Sequence, residues 1–140
     1  MPPNKNPSVV IDSNVWLSGL VFGGQPGKIL KLFVDGRILV TTSAELLSEL
    51  RRKITEKFPL FIPHLDLLEA SILKDGTTVK LGSQTIVVSR DPDDNKFIET
   101  AVIGNCDYII SGDKDLLTLK SYDQIKIVSP TEFLDIFDIH

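Results

Sequence analysis

Four carboxylates stand where a single fold would gather them. Asp12 closes the apolar run Val9-Val10-Ile11, and Asp113 follows Tyr108-Ile109-Ile110-Ser111-Gly112. Short apolar runs of this kind are strands buried on both faces of a parallel sheet, and open α/β sheets bind ligands beyond the carboxyl ends of their strands. Asp94 belongs to Asp91-Pro92-Asp93-Asp94-Asn95, an acidic helix start, and Glu49 lies inside a long amphipathic stretch. No histidine or cysteine motif accompanies them. A donor set made only of oxygen suits a hard divalent cation, Mg²⁺ or Mn²⁺. Such an ion lowers the pKa of bound water, so phosphodiester hydrolysis here would need no histidine base.

Each acid also has a plain structural reading. Asp12 and Asp113 (or Asp115) can be helix N-caps, as can Asp91, with Pro92 at the first helical position. Asp93 and Asp94 would then sit in a first turn, where the helix dipole favours negative charge. Three carboxylates within four residues nevertheless repel one another more than capping requires, and a cation would relieve that. Glu49 lies about 130° from the centre of its helix's apolar stripe at about 100° per residue. On the wheel alone it belongs to the solvated face, paired with Lys53 one turn on. Asn14 can orient Asp12 or simply belong to the turn, and Ser111 can hydrogen-bond a carboxylate or a metal-bound water. Arg51, Arg52 and Lys53 near Glu49, with Arg90 and Lys96 beside the acidic turn, are the candidate phosphate contacts.

The elements that must position these residues alternate. A strand spans 8–12; a helix opens at Pro26 and stops at Gly36; a second strand covers 38–41. Thr42 or Ser43 caps a helix running to Phe58, with Glu45 as its capping-box acid. Pro63 opens a helix ending near Gly76, and the segment 77–88 contains β-type sequence, with its strand expected at Ile86-Val87-Val88. A helix follows from Asp91-Pro92 to Gly104, then a strand over 108–111, with Gly112 permitting a tight turn. A short helix spans 113–120, a strand 125–128, and the capping box Ser129-Pro130-Thr131-Glu132 opens a helix through Phe137. Strands and helices in this order predict right-handed βαβ crossovers. The expected fold is α/β, a three-layer α/β/α arrangement around a central parallel sheet of about five strands.

At 140 residues the chain is expected to form one domain over residues 8–140 behind a loose leader, residues 1–7. Hydrophobic content of 42% and charged content of 24% are those of a globular protein. No run approaches the ~20 apolar residues of a membrane span, and the first residues lack the apolar core of a signal peptide, which predicts a cytoplasmic protein. Cys106 reads as a small core hydrophobe. The net charge of −4 argues against a strongly basic nucleic-acid binder, but the charge is divided. Residues 1–60 carry eight Lys/Arg against five Asp/Glu, a balance of +3, and residues 61–140 carry seven against fourteen, a balance of −7. That division suits a phosphate-bearing substrate drawn to an acidic metal pocket, and on charge alone it equally fits ordinary surface scatter.

Taken in order, these residues resemble the PIN-domain family of metal-dependent ribonucleases, from Val9 to about Phe137. The resemblance is strongest over Asp91-Pro92-Asp93-Asp94-Asn95-Lys96-Phe97 and Ser111-Gly112-Asp113-Lys114-Asp115-Leu116-Leu117, with Val10-Ile11-Asp12-Ser13-Asn14-Val15 matching the opening motif. The family's acidic quartet, which the resemblance implies would hold the metal, falls on Asp12, Glu49, Asp94 and Asp113. Its hydroxyl residues fall on Ser13 and on Ser111, where threonine is commoner. Asp91, Asp93 and Asp115 can substitute for or assist their neighbours. The resemblance implies cleavage of single-stranded RNA by a metal-activated water, the role of a toxin opposed by a cognate antitoxin, and a homodimer.

Two other classes remain. A catalytically silent RNA- or protein-binding module would keep the acidic pocket without cleavage. A Mg²⁺-dependent phosphatase would also place Asp at strand ends, but the haloacid-dehalogenase type needs a second Asp two residues after the first, where this chain has Asn14.

Overall fold

In β1 (Ser8–Ile11), Val9 and Ile11 turn to one face and Val10 to the other, and all three are fully buried. A strand apolar on both faces needs cover on both, and the computed structural model, which describes residues 6–82 and 92–137, supplies it. On one side lie α1 (Ser13–Val21), α2 (Gly24–Val34), α3 (Ala44–Lys57), α4 (Ile62–Asp75) and α7 (Pro130–Ile136). Their Trp16, Phe33, Leu50, Ile54, Ile72 and Phe133 pack with Val9 and Ile11. On the other lie α5 (Pro92–Ile103) and α6 (Lys114–Leu119), whose Phe97, Ile98, Ala101 and Leu116 pack with Val10. Cys106 is part of this second core.

The remaining strands are β2 (Leu39–Ser43), β3 (Thr77–Val79), β4 (Tyr108–Ile110), β5 (Ser121–Tyr122) and β6 (Ile125–Val128). Their order across the sheet is β3-β2-β1-β4-β6-β5. The first five are parallel, as the alternation of elements requires, and β5 adds a short antiparallel edge against β6. The chain moves outward from β1 to β2 and β3, then returns to place β4 on β1's other side. Val10 pairs with Ile109 and Ile11 with Ile110. The crossovers therefore diverge between β1 and β4, the switch point at which open α/β sheets leave a crevice.

Several local expectations are refined. The helix expected from Pro26 begins at Gly24, after Gly23 at φ 80°. Ser43, and not Thr42, caps α3, accepting from Leu46 N at 3.4 Å. Glu45 therefore stands at the second helical position and is no capping-box partner. Glu132 is one: its carboxylate accepts from Ser129 N while Ser129 Oγ accepts from Glu132 N. Gly112 has no left-handed φ, and a Cβ there would meet nothing within 4 Å. The turn after β4 does not depend on glycine. The strand expected at Ile86-Val87-Val88 lies outside the described residues. No helix among the described residues is long and apolar enough to cross a membrane.

Candidate active site

The cleft begins where β1 and β4 end together. Asp12 N donates to Ile110 O at 3.0 Å, the last rung of the ladder. The chain then turns into α1 with Asp12 as N-cap, its Oδ1 accepting from Asn14 N at 3.1 Å. Its other oxygen, Oδ2, accepts from Ser111 Oγ at 2.6 Å. Ser111 Oγ in turn accepts from Asp113 N at 2.9 Å, and Asp113 Oδ1 caps α6 by accepting from Asp115 N at 2.7 Å. One buried hydroxyl thus ties the first strand's carboxylate to the loop carrying the last. Asp12 is 4% exposed. Burial pushes its carboxyl above the ordinary value, against the opposing pull of the Ser111 and Asn14 hydrogen bonds.

Glu49 is not on a solvated face. It is 8% exposed, because α1 and α5 also pack on α3 and cover a side the sheet does not reach. Its Oε2 accepts from Ser13 Oγ at 2.5 Å, and its Oε1 lies 2.6 Å from Lys96 Nζ. Lys53 Nζ stands 3.7 Å from Oε2 and donates to Ser13 Oγ and Asn14 Oδ1, each at 3.1 Å. Burial pushes this carboxyl up, but the Lys96 and Ser13 hydrogen bonds with the two ammonium charges outweigh it, and the net shift is downward. Two acids of one cleft are thus driven in opposite directions by their surroundings, a common mark of a functional site.

Asp94, buried at the start of α5, supplies the third wall. Thr100 fastens that helix to α3, with its Oγ1 donating to Lys96 O at 2.7 Å and lying 3.3 Å from Ser43 Oγ. Asp12, Glu49, Asp94 and Asp113 together line a cleft of about 160 Å³, with Asn14, Arg52, Lys53 and Phe97. A shallower groove of about 470 Å³ adjoins it, lined by Glu49, Arg52 and Lys96 with Ala44, Glu45 and Ser48. A larger hollow of about 670 Å³ lies beside Asn105, Cys106, Asp107 and Asp123. That hollow is at the amino ends of β4 and β6, the end of a parallel sheet where ligands are not expected.

The donor set fits a hard cation. Asp94, Asp113 and Asp115 each offer a carboxylate oxygen, and these atoms lie within 4.8 Å of one another. All are oxygens, the ligands Mg²⁺ and Mn²⁺ prefer. Among the other expected contacts, Arg52 and Lys53 reach the cleft and Lys96 the groove beside it. Arg51 does not: its Nη2 is 2.7 Å from Asp66 Oδ1 and 3.2 Å from Glu69 Oε2, turned to α4. Asp91 and Arg90 lie outside the described residues. Sequence reasoning passed over Phe97, which is core yet also lines the cleft. Its position three residues after Asp94, on the same helical face, was the available signal.

Residues 8–115 match the PIN domain. The chain belongs to the PIN-domain family. The match begins at β1 and ends at Asp115, so it contains all four acids and Ser111. PIN domains are generally nucleases. The uncharacterized protein MJ1680 of Methanocaldococcus jannaschii is 34% identical over 142 residues, covering 93% of this chain and 91% of that protein. Among solved structures, a chain of VapBC2 from Rickettsia felis, crystallised bound to a DNA fragment from their promoter, superposes with a TM-score of 0.58. It is 9% identical and covers 87% of this PIN chain and 98% of its own, a likeness of fold.

Proposed function

We propose that this PIN domain is a divalent-metal-dependent endoribonuclease that hydrolyses phosphodiester bonds of single-stranded RNA, with Mg²⁺ or Mn²⁺ as its cofactor. The observation that carries the reading is the convergence of Asp12, Glu49, Asp94 and Asp113, from four separate elements, on one small cleft edged by Arg52 and Lys53. Asp94, Asp113 and Asp115 would hold the cation, with Asp12 beside them. When bound, the ion lowers the pKa of a coordinated water and offsets charge developing on the phosphate.

The remaining work falls to the chain's own side chains. Ser111 fixes Asp12 against Asp113. Asn14, through its backbone N–H, holds Asp12 Oδ1, and Ser13 holds Glu49. Lys53, Lys96 and Arg52 present positive charge to the phosphates along the cleft and its adjoining groove. Such contacts position a strand without reading its bases.

Purified protein incubated with mixed-sequence single-stranded RNA in Mg²⁺, Mn²⁺ or EDTA tests the reading. Cleavage that needs the metal and is lost in Asp12→Asn and Asp94→Asn is the expected result. Metal binding without cleavage of any RNA would instead favour a silent binding module. The toxin role, with a cognate antitoxin and a homodimeric assembly in the cytoplasm, belongs to the same proposal. It is supported by likeness of fold to the VapBC2 chain, which is analogy at the level of fold. Growth arrest on expression, relieved by co-expression of an adjacent small gene, would test it.

A further inference from the structure

We infer that Glu49 is not a ligand of the divalent ion but the counter-ion that positions Lys96 and Lys53 against the substrate's phosphates. The inference rests on the nuclease reading and changes the task of one member of its quartet.

Three observations converge on it. Both Glu49 oxygens already have protein partners, Oε1 with Lys96 Nζ at 2.6 Å and Oε2 with Ser13 Oγ at 2.5 Å, with Lys53 Nζ 3.7 Å from the latter. A cation bound there would share these oxygens with those donors or displace them, while two ammonium charges stood within about 4 Å of the same carboxylate, a repulsion little screened where the side chains are mostly buried. Next, the carboxylates that form a group of three with oxygens close enough to share an ion, among the described residues, are Asp94, Asp113 and Asp115. Glu49 is not in that group. Finally, Glu49 lines both the acidic cleft and the adjoining groove, with Lys53 opening on the first and Lys96 on the second. A strand passing from cleft to groove crosses Glu49 with one lysine on each side. Lys53 is held further by Asn14 Oδ1, so its ammonium has a fixed place beside the cleft.

Two measurements on the full chain test this. Mn²⁺ binding, followed by the electron paramagnetic resonance of the free ion, is compared for wild type, Glu49→Gln and Asp94→Asn. Glu49→Gln should bind Mn²⁺ as wild type does, whereas Asp94→Asn should lose about tenfold or more. Binding of a labelled oligouridylate in EDTA is then measured across a salt series. Lys96→Met and Lys53→Met should each weaken it and reduce the slope of log K against log salt by about 0.7, and Lys96→Arg should restore the slope.

A third readout reports the positioning itself. Glu49→Gln should raise KM for RNA cleavage in the wild-type background and add nothing in Lys53→Met/Lys96→Met. Loss of Mn²⁺ by Glu49→Gln to the extent seen in Asp94→Asn overturns the inference, as does an unchanged salt slope in both lysine variants. A protein that binds Mn²⁺ with these dependences and cleaves no RNA would fail the nuclease reading alone. One that cleaves RNA but needs Glu49 to hold Mn²⁺ would fail this inference alone.

Discussion

The Glu49–Lys96 pair makes a stability prediction that needs neither metal nor RNA. Lys96→Met keeps the length and apolar stem of the side chain and removes its charge. The ion pair it breaks is 2.6 Å long, between a carboxylate 8% exposed and a lysine side chain 24% exposed. A surface pair of this kind contributes about 0–1 kcal/mol, and removing one partner of a fully buried pair costs about 3–5 kcal/mol. Lys96 is partly in water, and Lys53 and Ser13 remain beside Glu49, so the expected cost is between these, about 2 kcal/mol. In a chain of this size that lowers the midpoint of thermal unfolding by about 6–8 °C.

The pH dependence follows from the direction of Glu49's shift. Its carboxyl is held below the ordinary value in the folded protein, so its ionisation favours folding. That contribution is present above the unfolded-chain pKa and is lost as pH falls through the folded value. The gap between wild type and Lys96→Met should therefore be full at neutral pH and narrow toward about pH 4, where Glu49 takes up a proton in the variant first. Thermal melts in EDTA at both pH values measure it. Glu49→Gln/Lys96→Met should recover most of the stability, because the carboxylate that lost its closest partner is gone and Lys53 keeps its hydrogen bonds to Ser13 Oγ and Asn14 Oδ1. Equal midpoints at neutral pH, or a gap unchanged in acid, would refute the argument.

Asp12 behaves in the opposite sense. Its folded carboxyl is raised, chiefly by burial, so whatever stability the group contributes is full below the unfolded pKa and lost as pH rises through the folded value. Asp12→Asn, which keeps a competent N-cap, should therefore raise the melting midpoint of the metal-free protein at neutral pH while abolishing cleavage, and a lower midpoint would contradict this. Ser111→Ala removes the hydroxyl shared by Asp12 Oδ2 and Asp113 N and should cost about 1–3 kcal/mol in denaturant unfolding. Arg51→Ala should leave RNA cleavage unchanged, since the guanidinium is paired with Asp66 and Glu69, and should cost less than about 1 kcal/mol of stability.

The strands and their layers were readable because each depends on local composition. Val9-Val10-Ile11 and Tyr108-Ile109-Ile110 are apolar on both faces, and only a sheet covered on both sides accepts that. The antiparallel β5 was not readable: two residues, Ser121-Tyr122, make no pattern, and their pairing with Ile125–Lys126 depends on the turn between them. Glu49 marks a different boundary. A helical wheel assumes that a helix has one buried stripe, but α3 packs on α1, α4, α5 and β2. Its second buried side comes from partners distant in sequence, and no periodicity within Ala44–Lys57 records them.

The acids at the strand ends show why spacing left cap and ligand undivided. Asp12 and Asp113 each use Oδ1 to cap the helix that follows, and each also lines the cleft. The two readings describe one side chain with two oxygens. A cap holds a carboxylate at a strand's end in a single orientation, and a cation needs that preorganisation in its ligands. In a sheet whose crossovers diverge between β1 and β4, the residues most suited to start the next helix are those that face the crevice. What distinguishes a site from two ordinary caps is the link between them, Ser111, whose hydroxyl donates to Asp12 and accepts from the backbone of Asp113. That link joins residues 99 positions apart, and it is formed only once β1 and β4 lie side by side.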